Sequence, residues 1–455
     1  MQAQQPPPLH RRRWTRGRVI IVVALVFVEL LALTGAVSFF WYRSSLRSEV
    51  AALEAEVRAA GHPLSLPELD AWYAEPEQNA APLILRAAEL LKELDPQDRT
   101  AKLWKALEEE ANSQTPELLA ADITAHVAAL LPVLTMLREA AEIPDARFPI
   151  DIHSGSSVSL GHLKPLQKMV QLAVLASEDA LHRGDLVAAA NFVMLALRTA
   201  QHTKTEPTHM SHLTSIVGYD AAVNSLERLL SSASLPSISL SQLSQEFGRP
   251  DIQNHFQHAM IGERTMSCSD VDSMFTRKAF AKMPELLHRL LESQEFQIFA
   301  EPIVLREKRA VLLYFRQLLS IRPTDWTAYR KSGLQWRRRT FTPISLMLLP
   351  FISLSVPFST RSEAGLRSAQ VAIAVERYRS DHDILPDSLD LLVPAYLPTV
   401  PEDPFDGNPL RYKRLDPGYV VYSVWVNQTD EGGTSVKRGS VTLSNVSDWT
   451  FRVLR

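Results

Sequence analysis

The chain has 455 residues, and its 48 lysines and arginines nearly balance its 51 aspartates and glutamates, which gives a net charge of −3. This balance argues against a general nucleic-acid-binding protein. Hydrophobic residues make up 46% of the sequence, enough for a sizeable core. The one cysteine, Cys268, excludes an intramolecular disulfide and a multi-cysteine metal site.

The first strong pattern is an apolar stretch over residues 19–42, preceded by five arginines within residues 1–18. About twenty apolar residues span a bilayer as a helix, and positive charge favours the cytoplasmic side. The sequence therefore predicts a single-pass membrane protein, with a cytoplasmic basic tail and the bulk of the chain on the far side of the membrane. Trp41 and Tyr42 stand where an interfacial aromatic belt is expected.

Three alternatives accompany this prediction. A cleaved signal peptide has a shorter apolar region and a small-residue cleavage site, whereas this stretch is long and ends in bulky aromatics. Glu29 lies mid-span, where it is either a tolerated neutral acid or a residue that pairs with a partner helix. A second apolar stretch, at residues 341–360, could be a second membrane span. It contains three prolines, and as a span it would place the preceding arginine cluster on the outer side, so it is interpreted as a buried connector.

Residues 43–60 are predicted to continue the membrane helix as a stalk, whose apolar face carries Leu46, Val50, Leu53 and Val57. Oligomerisation through this stalk is open. Residues 61–340 form an irregular α-helical domain without a fixed repeat. We expect helices to begin at prolines that occupy the first turn, namely Pro82, Pro116, Pro165, Pro207 and Pro302.

The clearest unit of this domain is an antiparallel helical hairpin over residues 166–202. Gly184 fits a left-handed helix C-terminus and Asp185 an N-cap.

Candidate chemistry in the helical domain rests on the histidines His202, His209 and His212. His209 and His212 are three residues apart, so one helical face presents both of them to a metal. The sequence has no HExxH motif and no glycine-rich phosphate loop. A metal-dependent hydrolase with its site in this domain is therefore kept only as an alternative function.

The character of the chain changes over residues 361–455, where one helix precedes a small antiparallel sheet. A helical pattern covers residues 362–382, and turn signals follow at Asp403-Pro404 and Asp406-Gly407. The remaining predicted elements are a short helix at Ser388–Val393, strands at Leu410–Lys413 and Gly418–Val426, and edge strands at Val441–Leu443 and Thr450–Leu454.

Three pieces of this segment carry a resemblance. They are AVERYRSDH followed by LPDSL, the turn and strand DPFDGNPLRY, and the loop YSVWVNQTDEGG. Together they resemble the C-terminal globular part of the major pseudopilin of the type II secretion system. The whole layout looks like membrane-anchored proteins of planctomycete-type bacteria. This resemblance implies a bacterial inner membrane, with the bulk of the chain in the periplasm. No glycine stands immediately before Phe27-Val28-Glu29, so pilin-type processing and polymerisation are not predicted.

The resemblance also implies a metal, because the matching loop of these pseudopilins binds calcium. Hard oxygen ligands on a loop suit Ca²⁺. The residues that match the loop are Ser423, Asn427 and Asp430, joined by Glu431 or Asp448.

The sequence thus predicts a mainly α protein with an N-terminal transmembrane helix, a helical domain and a small α+β pseudopilin-like domain. The expected function is non-catalytic interaction with an envelope protein partner, linked by resemblance to type II secretion or pilus-like machinery. A structural or ligand-sensing ectodomain is the other alternative.

Overall fold

The computed structural model describes residues 16–109, 117–275, 285–333, 352, 355–434 and 447–455. The helices of the first half are α1 (Arg16–Ala59), α2 (Leu66–Trp72), α3 (Ala81–Leu94), α4 (Arg99–Glu109), α5 (Glu117–Ala129), α6 (Leu131–Ala141), α7 (Leu163–His182) and α8 (Leu186–Gln201). Those of the second half are α9 (His209–Ser232), α10 (Ser237–Phe247), α11 (Ile252–Ser273), α12 (Glu285–Glu292), α13 (Gln294–Leu319), α14 (Trp326–Ser332) and α15 (Ser355–His382). Short 3₁₀ helices lie at Ile152–Ser157 and Leu389–Leu392.

The predicted helical hairpin is confirmed as α7 and α8. Gly184 adopts a left-handed conformation with φ of +76°. The side chain of Asp185 then accepts a hydrogen bond from the backbone N–H of Ala188 at 3.0 Å, which caps α8. Almost all of the facing apolar residues of the two helices are buried, so this hairpin forms the centre of the helical body.

The sheet contains β1 (Arg411–Arg414), β2 (Tyr419–Ser423) and β3 (Trp449–Val453), with β2 in the middle and both pairings antiparallel. Val421 of β2 pairs with Tyr412 on one side and with Phe451 on the other. The sheet packs on α15 and α9, and the Tyr419 hydroxyl donates to the Ala372 carbonyl at 3.2 Å.

The helical body and the C-terminal segment share their cores. One buried apolar cluster runs from Ile84 and Leu134 of the body to Val421 and Phe451 of the sheet. A second cluster joins α1, α11, α13 and α14 to α15 and to the loops around Phe405 and Trp425. The segment that the resemblance covers is therefore packed into the rest of the chain.

The predicted fold class is confirmed: the chain is mainly helical, with an apolar N-terminal helix and a three-stranded antiparallel sheet near the C-terminus. The element bounds differ in places. Helix α15 begins at Ser355, inside the predicted connector, and Pro357 lies in its first turn. The predicted edge strand at 441–443, most of the basic tail and most of the connector lie outside the described residues.

Candidate functional site: the anchor helix and the C-terminal acidic loop

Helix α1 passes the length and hydropathy criteria for a membrane span, with a mean hydropathy of 2.7 in its apolar window and none of that window buried. Residues 20–38 are all exposed, and Glu29 is among them. Trp41 and Tyr42 are also exposed, at 73% and 45%, at the end of the apolar stretch. Their position agrees with the predicted aromatic belt, and the helix is consistent with a single-pass anchor.

The same helix continues into the folded body without a break. Leu46, Val50 and Leu53 are buried, and α1 packs on α13. The apolar face that the sequence offers for oligomerisation is therefore covered by a helix of the same chain. Self-association through the stalk stays a prediction that requires another face.

Ion pairs fasten the two helices on either side of this apolar contact. Glu301 of α13 binds both Arg43 and Arg47 of α1. Farther along the two helices, Lys308 lies 2.8 Å from Glu54, and two more ion pairs join Glu49 to Arg309 and Glu56 to Arg316. Each exposed pair contributes little alone, about 0–1 kcal/mol, and the buried leucines and valine supply most of the contact free energy.

Ser423, the first predicted calcium ligand, lies outside the loop proper. It ends β2, is fully buried, and donates to Asp403 Oδ1 at 2.8 Å. Asp403 also accepts from the backbone N–H groups of Phe405 and Val424, each at 2.9 Å. The hydroxyl of Ser423 is therefore committed to holding the 403–408 turn against the strand.

An internal cation neutralises the acidic residues on this side of the loop. Arg411 of β1 binds Asp403 at 2.8 Å and also binds Asp406, and its Nε lies 3.8 Å from Asp430 Oδ2. The other oxygen of Asp430 accepts the N–H of Gly432 at 2.8 Å. Asp430, the third predicted ligand, thus faces the guanidinium group of Arg411. The positive charge of this group would repel a metal ion bound at Asp430.

The far side of the loop contains a different acidic group, formed by Glu431 and Asp448. Asp448 accepts the N–H of Gly433 at 2.7 Å and lies 3.4 Å from the N–H of Glu431. Burial, together with the neighbouring Glu431 carboxyl, raises the pKa of Asp448 to about 6. Asn427 donates to Glu431 Oε1 at 2.7 Å, while Glu431 Oε2 is buried without a partner among the described residues.

The four predicted ligands are thus divided among three environments and do not converge on one point. Within the described ranges, no group of three or more His, Cys, Asp or Glu side chains is arranged to hold a metal. The Glu431–Asp448 pair alone has the chemistry for a hard cation, because it joins an unpartnered carboxylate oxygen to a second buried carboxyl. Calcium binding stays a prediction, now restricted to that pair.

Asp403 and Arg411 belong to this site but are not predicted by the sequence as members of it. In the sequence Asp403 stands only in a turn signal, and its side chain does form the turn by accepting the Phe405 N–H. No local sequence pattern indicates that Arg411 forms an ion pair with Asp403, because that contact depends on how β1 lies beside the turn.

The three candidate histidines are buried and differ in their surroundings. His202 contacts the backbone carbonyls of Ala140 and Ile143, and His212 bonds to the Ser359 hydroxyl at 2.8 Å. Burial lowers the pKa of His209 to about 4, which keeps its imidazole neutral, and its Nε2 has no hydrogen-bond partner among the described residues. These surroundings supply no support for the hydrolase alternative.

Among the described residues, two of the clefts on the body are large enough to consider as binding sites. One of about 480 Å³ lies between α10, α15 and residues 397–402. The other, of about 420 Å³, lies between α6, α8 and α10 and is lined by Arg138, Arg198 and Arg249 with Glu142 and Glu246.

Comparison of the chain with protein-family models, with curated proteins and with solved structures gives no match. The likeness to pseudopilins therefore rests on the quoted residues.

Proposed function

We propose that this protein is a membrane-anchored, non-catalytic interaction protein. Its N-terminus lies in the cytoplasm, and its folded body faces the periplasm of a bacterial cell. The body presents its surface to an envelope protein, and the resemblance of residues 361–455 to pseudopilins makes secretion or pilus-like machinery the class of partner.

The observation that carries the proposal is the continuity of α1. One helix of 44 residues has an apolar exposed half and a half that is buried against α13. An exposed apolar surface of this size has no stable place in water, whereas a bilayer solvates it. The anchor and the body therefore share one continuous helix, as expected of a protein that holds a binding surface near a membrane.

The topology is tested by fusing a reporter after Arg455. Alkaline phosphatase, which is active only outside the cytoplasm, is expected to be active, and a green fluorescent protein fusion is expected to be dark when exported by the same route. A matched variant replaces the five tail arginines by glutamate, which weakens the charge bias that sets orientation. Active phosphatase in the unaltered chain and reduced activity in the variant support the proposal. A phosphatase that is inactive in the unaltered chain refutes it.

The partner is sought by crosslinking in intact cells and identification of the captured proteins. A chain in which residues 19–42 are replaced by an unrelated transmembrane helix separates capture through the body from capture through the anchor. Recovery of the same envelope protein with both chains supports an interaction through the body. Capture that is lost with the replaced helix assigns the interaction to the membrane segment.

One observation favours the ligand-sensing alternative, namely the cleft between α6, α8 and α10. Its volume of about 420 Å³ falls in the range of small-molecule sites. Arg198 pairs with Glu142 and Glu246, whereas Arg138 lies over the Phe192 ring without a carboxylate partner in the described part of the chain. A small anion fits this excess of positive charge. A melting curve with and without millimolar citrate, repeated for Arg138→Gln, decides between a binding cleft and a salt-bridge network.

A further inference from the structure

Outside the acidic loop, large apolar side chains are exposed at the corner where α12 meets α13. Leu290, Phe299 and Ile303 are 54%, 67% and 42% exposed there. Ser293 caps α13 and separates it from α12 by a single residue, so Leu290 lies close to the first turn of α13. Phe299 and Ile303 are four residues apart and share one face of α13.

The position of this corner relative to the anchor is fixed by the contacts between α1 and α13. Along both helices the numbers rise together, from Phe39 with Phe299 to Arg43 with Glu301 and onward through the remaining ion pairs. The two helices therefore run in the same direction. The first turn of α13 points back toward the apolar half of α1.

The depth of the first turn of α13 relative to the membrane follows from helix geometry. The ring centroids of Phe39 and Phe299 are 5.4 Å apart, so these residues lie at one level. Gln294 precedes Phe299 by five residues, which at 1.5 Å per residue places it roughly 7 Å closer to the membrane. That level corresponds to α1 residues well inside the apolar stretch. The headgroup region on each side of a bilayer is about 5–8 Å thick, so the start of α13 reaches into it.

We propose that the α12–α13 corner is a second membrane contact, with Leu290, Phe299 and Ile303 inserted among the lipid headgroups of the bilayer that α1 spans. This inference rests on the proposed anchoring of α1. Its physical basis is that bulky aromatic and aliphatic side chains are stable at the boundary between headgroups and acyl chains. Phe39 is the first residue of α1 after position 20 that is not fully exposed, so the body meets the anchor at the membrane surface. The body is thereby held against the bilayer in one orientation.

The chain offers a clean route to a test, because its single cysteine is inert. Cys268 is buried, and burial raises the pKa of its thiol to about 12, so it stays unreactive toward a thiol reagent at neutral pH. New cysteines at chosen positions of the full-length protein can therefore be labelled with the fluorophore NBD. The labelled protein is reconstituted into vesicles of phosphatidylethanolamine and phosphatidylglycerol.

Four labelled variants suffice. Phe299→Cys and Leu290→Cys report on the corner, Leu33→Cys on the span, and Ile384→Cys on a distant site that is 60% exposed. Bromine-labelled lipid is expected to quench the first three labels and to spare the fourth, while aqueous iodide is expected to quench the Ile384→Cys label several-fold more strongly than the corner labels.

The outcomes separate the two proposals. Corner labels that iodide quenches as strongly as the Ile384→Cys label, with the Leu33→Cys label still in lipid, overturn the membrane contact and leave the anchor intact. A Leu33→Cys label that lipid does not quench refutes the anchor itself. Corner labels shielded from iodide but untouched by brominated lipid show that protein covers this face, which also overturns the inference.

Discussion

The Glu431–Asp448 pair predicts an unusual response to a charge-removing substitution. In Asp448→Asn the amide keeps the shape of the carboxyl and accepts the Gly433 N–H through its oxygen, while its nitrogen replaces the oxygen that lies 3.4 Å from the Glu431 N–H. The variant thus resembles the wild type with Asp448 protonated. Because the pKa of Asp448 is raised from 3.8 to about 6, the folded state favours the protonated form more than the unfolded state does.

The magnitude follows from linkage. A carboxyl whose folded-state pKa is raised stabilises most below its unfolded pKa, and stability is lost as the pH rises from about 4 to 6. A pKa difference of one corresponds to about 1.4 kcal/mol, so the full effect is about 3 kcal/mol. Because Glu431 is partly exposed, water screens part of the interaction between the two carboxyls, and halving the figure gives about 1–2 kcal/mol. At pH 7.5 we therefore expect Asp448→Asn to be more stable than the wild type by that amount.

The assay is thermal unfolding of the full chain in mild detergent at pH 7.5 and at pH 4.5. Asp448→Asn is expected to raise Tm by a few degrees at the higher pH and by about a third as much at the lower one, because pH 4.5 is still slightly above the unfolded-state pKa. Asp430→Asn is the control, since it removes the same charge from the same loop but from beside Arg411. Added calcium should stabilise the wild type at pH 7.5 and leave Asp448→Asn unchanged if the pair holds the ion. A Tm lowered equally at both pH values would refute the reasoning.

Three further substitutions test packing and pH dependence, each by urea unfolding in detergent. Leu53→Ala should cost about 2–4 kcal/mol because it opens the buried contact of α1 with the body, whereas Leu33→Ala on the exposed span should cost far less. Gly262→Ala should destabilise by about 1–3 kcal/mol or more, because its Cβ would lie 2.0 Å from the Pro207 carbonyl oxygen, while Gly161→Ala meets no atom within 4 Å. Burial lowers the pKa of His255 to about 3, so the unfolded state binds more protons below pH 6.5 and stability falls on acidification; His255→Leu should flatten that fall, and an unchanged slope would contradict this.

The elements that sequence predicted well depend on local signals. The α7–α8 hairpin is specified by Gly184 and Asp185, which are adjacent in the chain. The rule that prolines open helices failed at Pro302, which lies inside α13. That helix begins at Gln294, where the Ser293 hydroxyl caps it by accepting the Phe296 N–H. The serine cap nine residues upstream sets where the helix begins, and α13 then continues through Pro302 although the proline lacks the N–H that would bond to the Ile298 carbonyl.

The contacts that sequence missed join distant positions. Arg43 and Glu301 are 258 residues apart, and no local pattern identifies them as partners. Arg411 meets Asp403 only because β1 folds back beside the turn. Such pairs are set by the packing of whole elements, and a single sequence without its relatives carries no record of that packing.

The shared core has a consequence for how the C-terminal segment works. In an independent module, the sheet would bury its apolar face within its own helix and strands. Here α9 of the helical body supplies part of that cover, and its Ser231 and Glu227 bond to the backbone of Arg452 in β3. The C-terminal segment therefore packs on the helical body, and the body packs on α1 through α13. The sheet is therefore connected to the apolar N-terminal helix through the packed helices of the body, and its position in the chain depends on that packing.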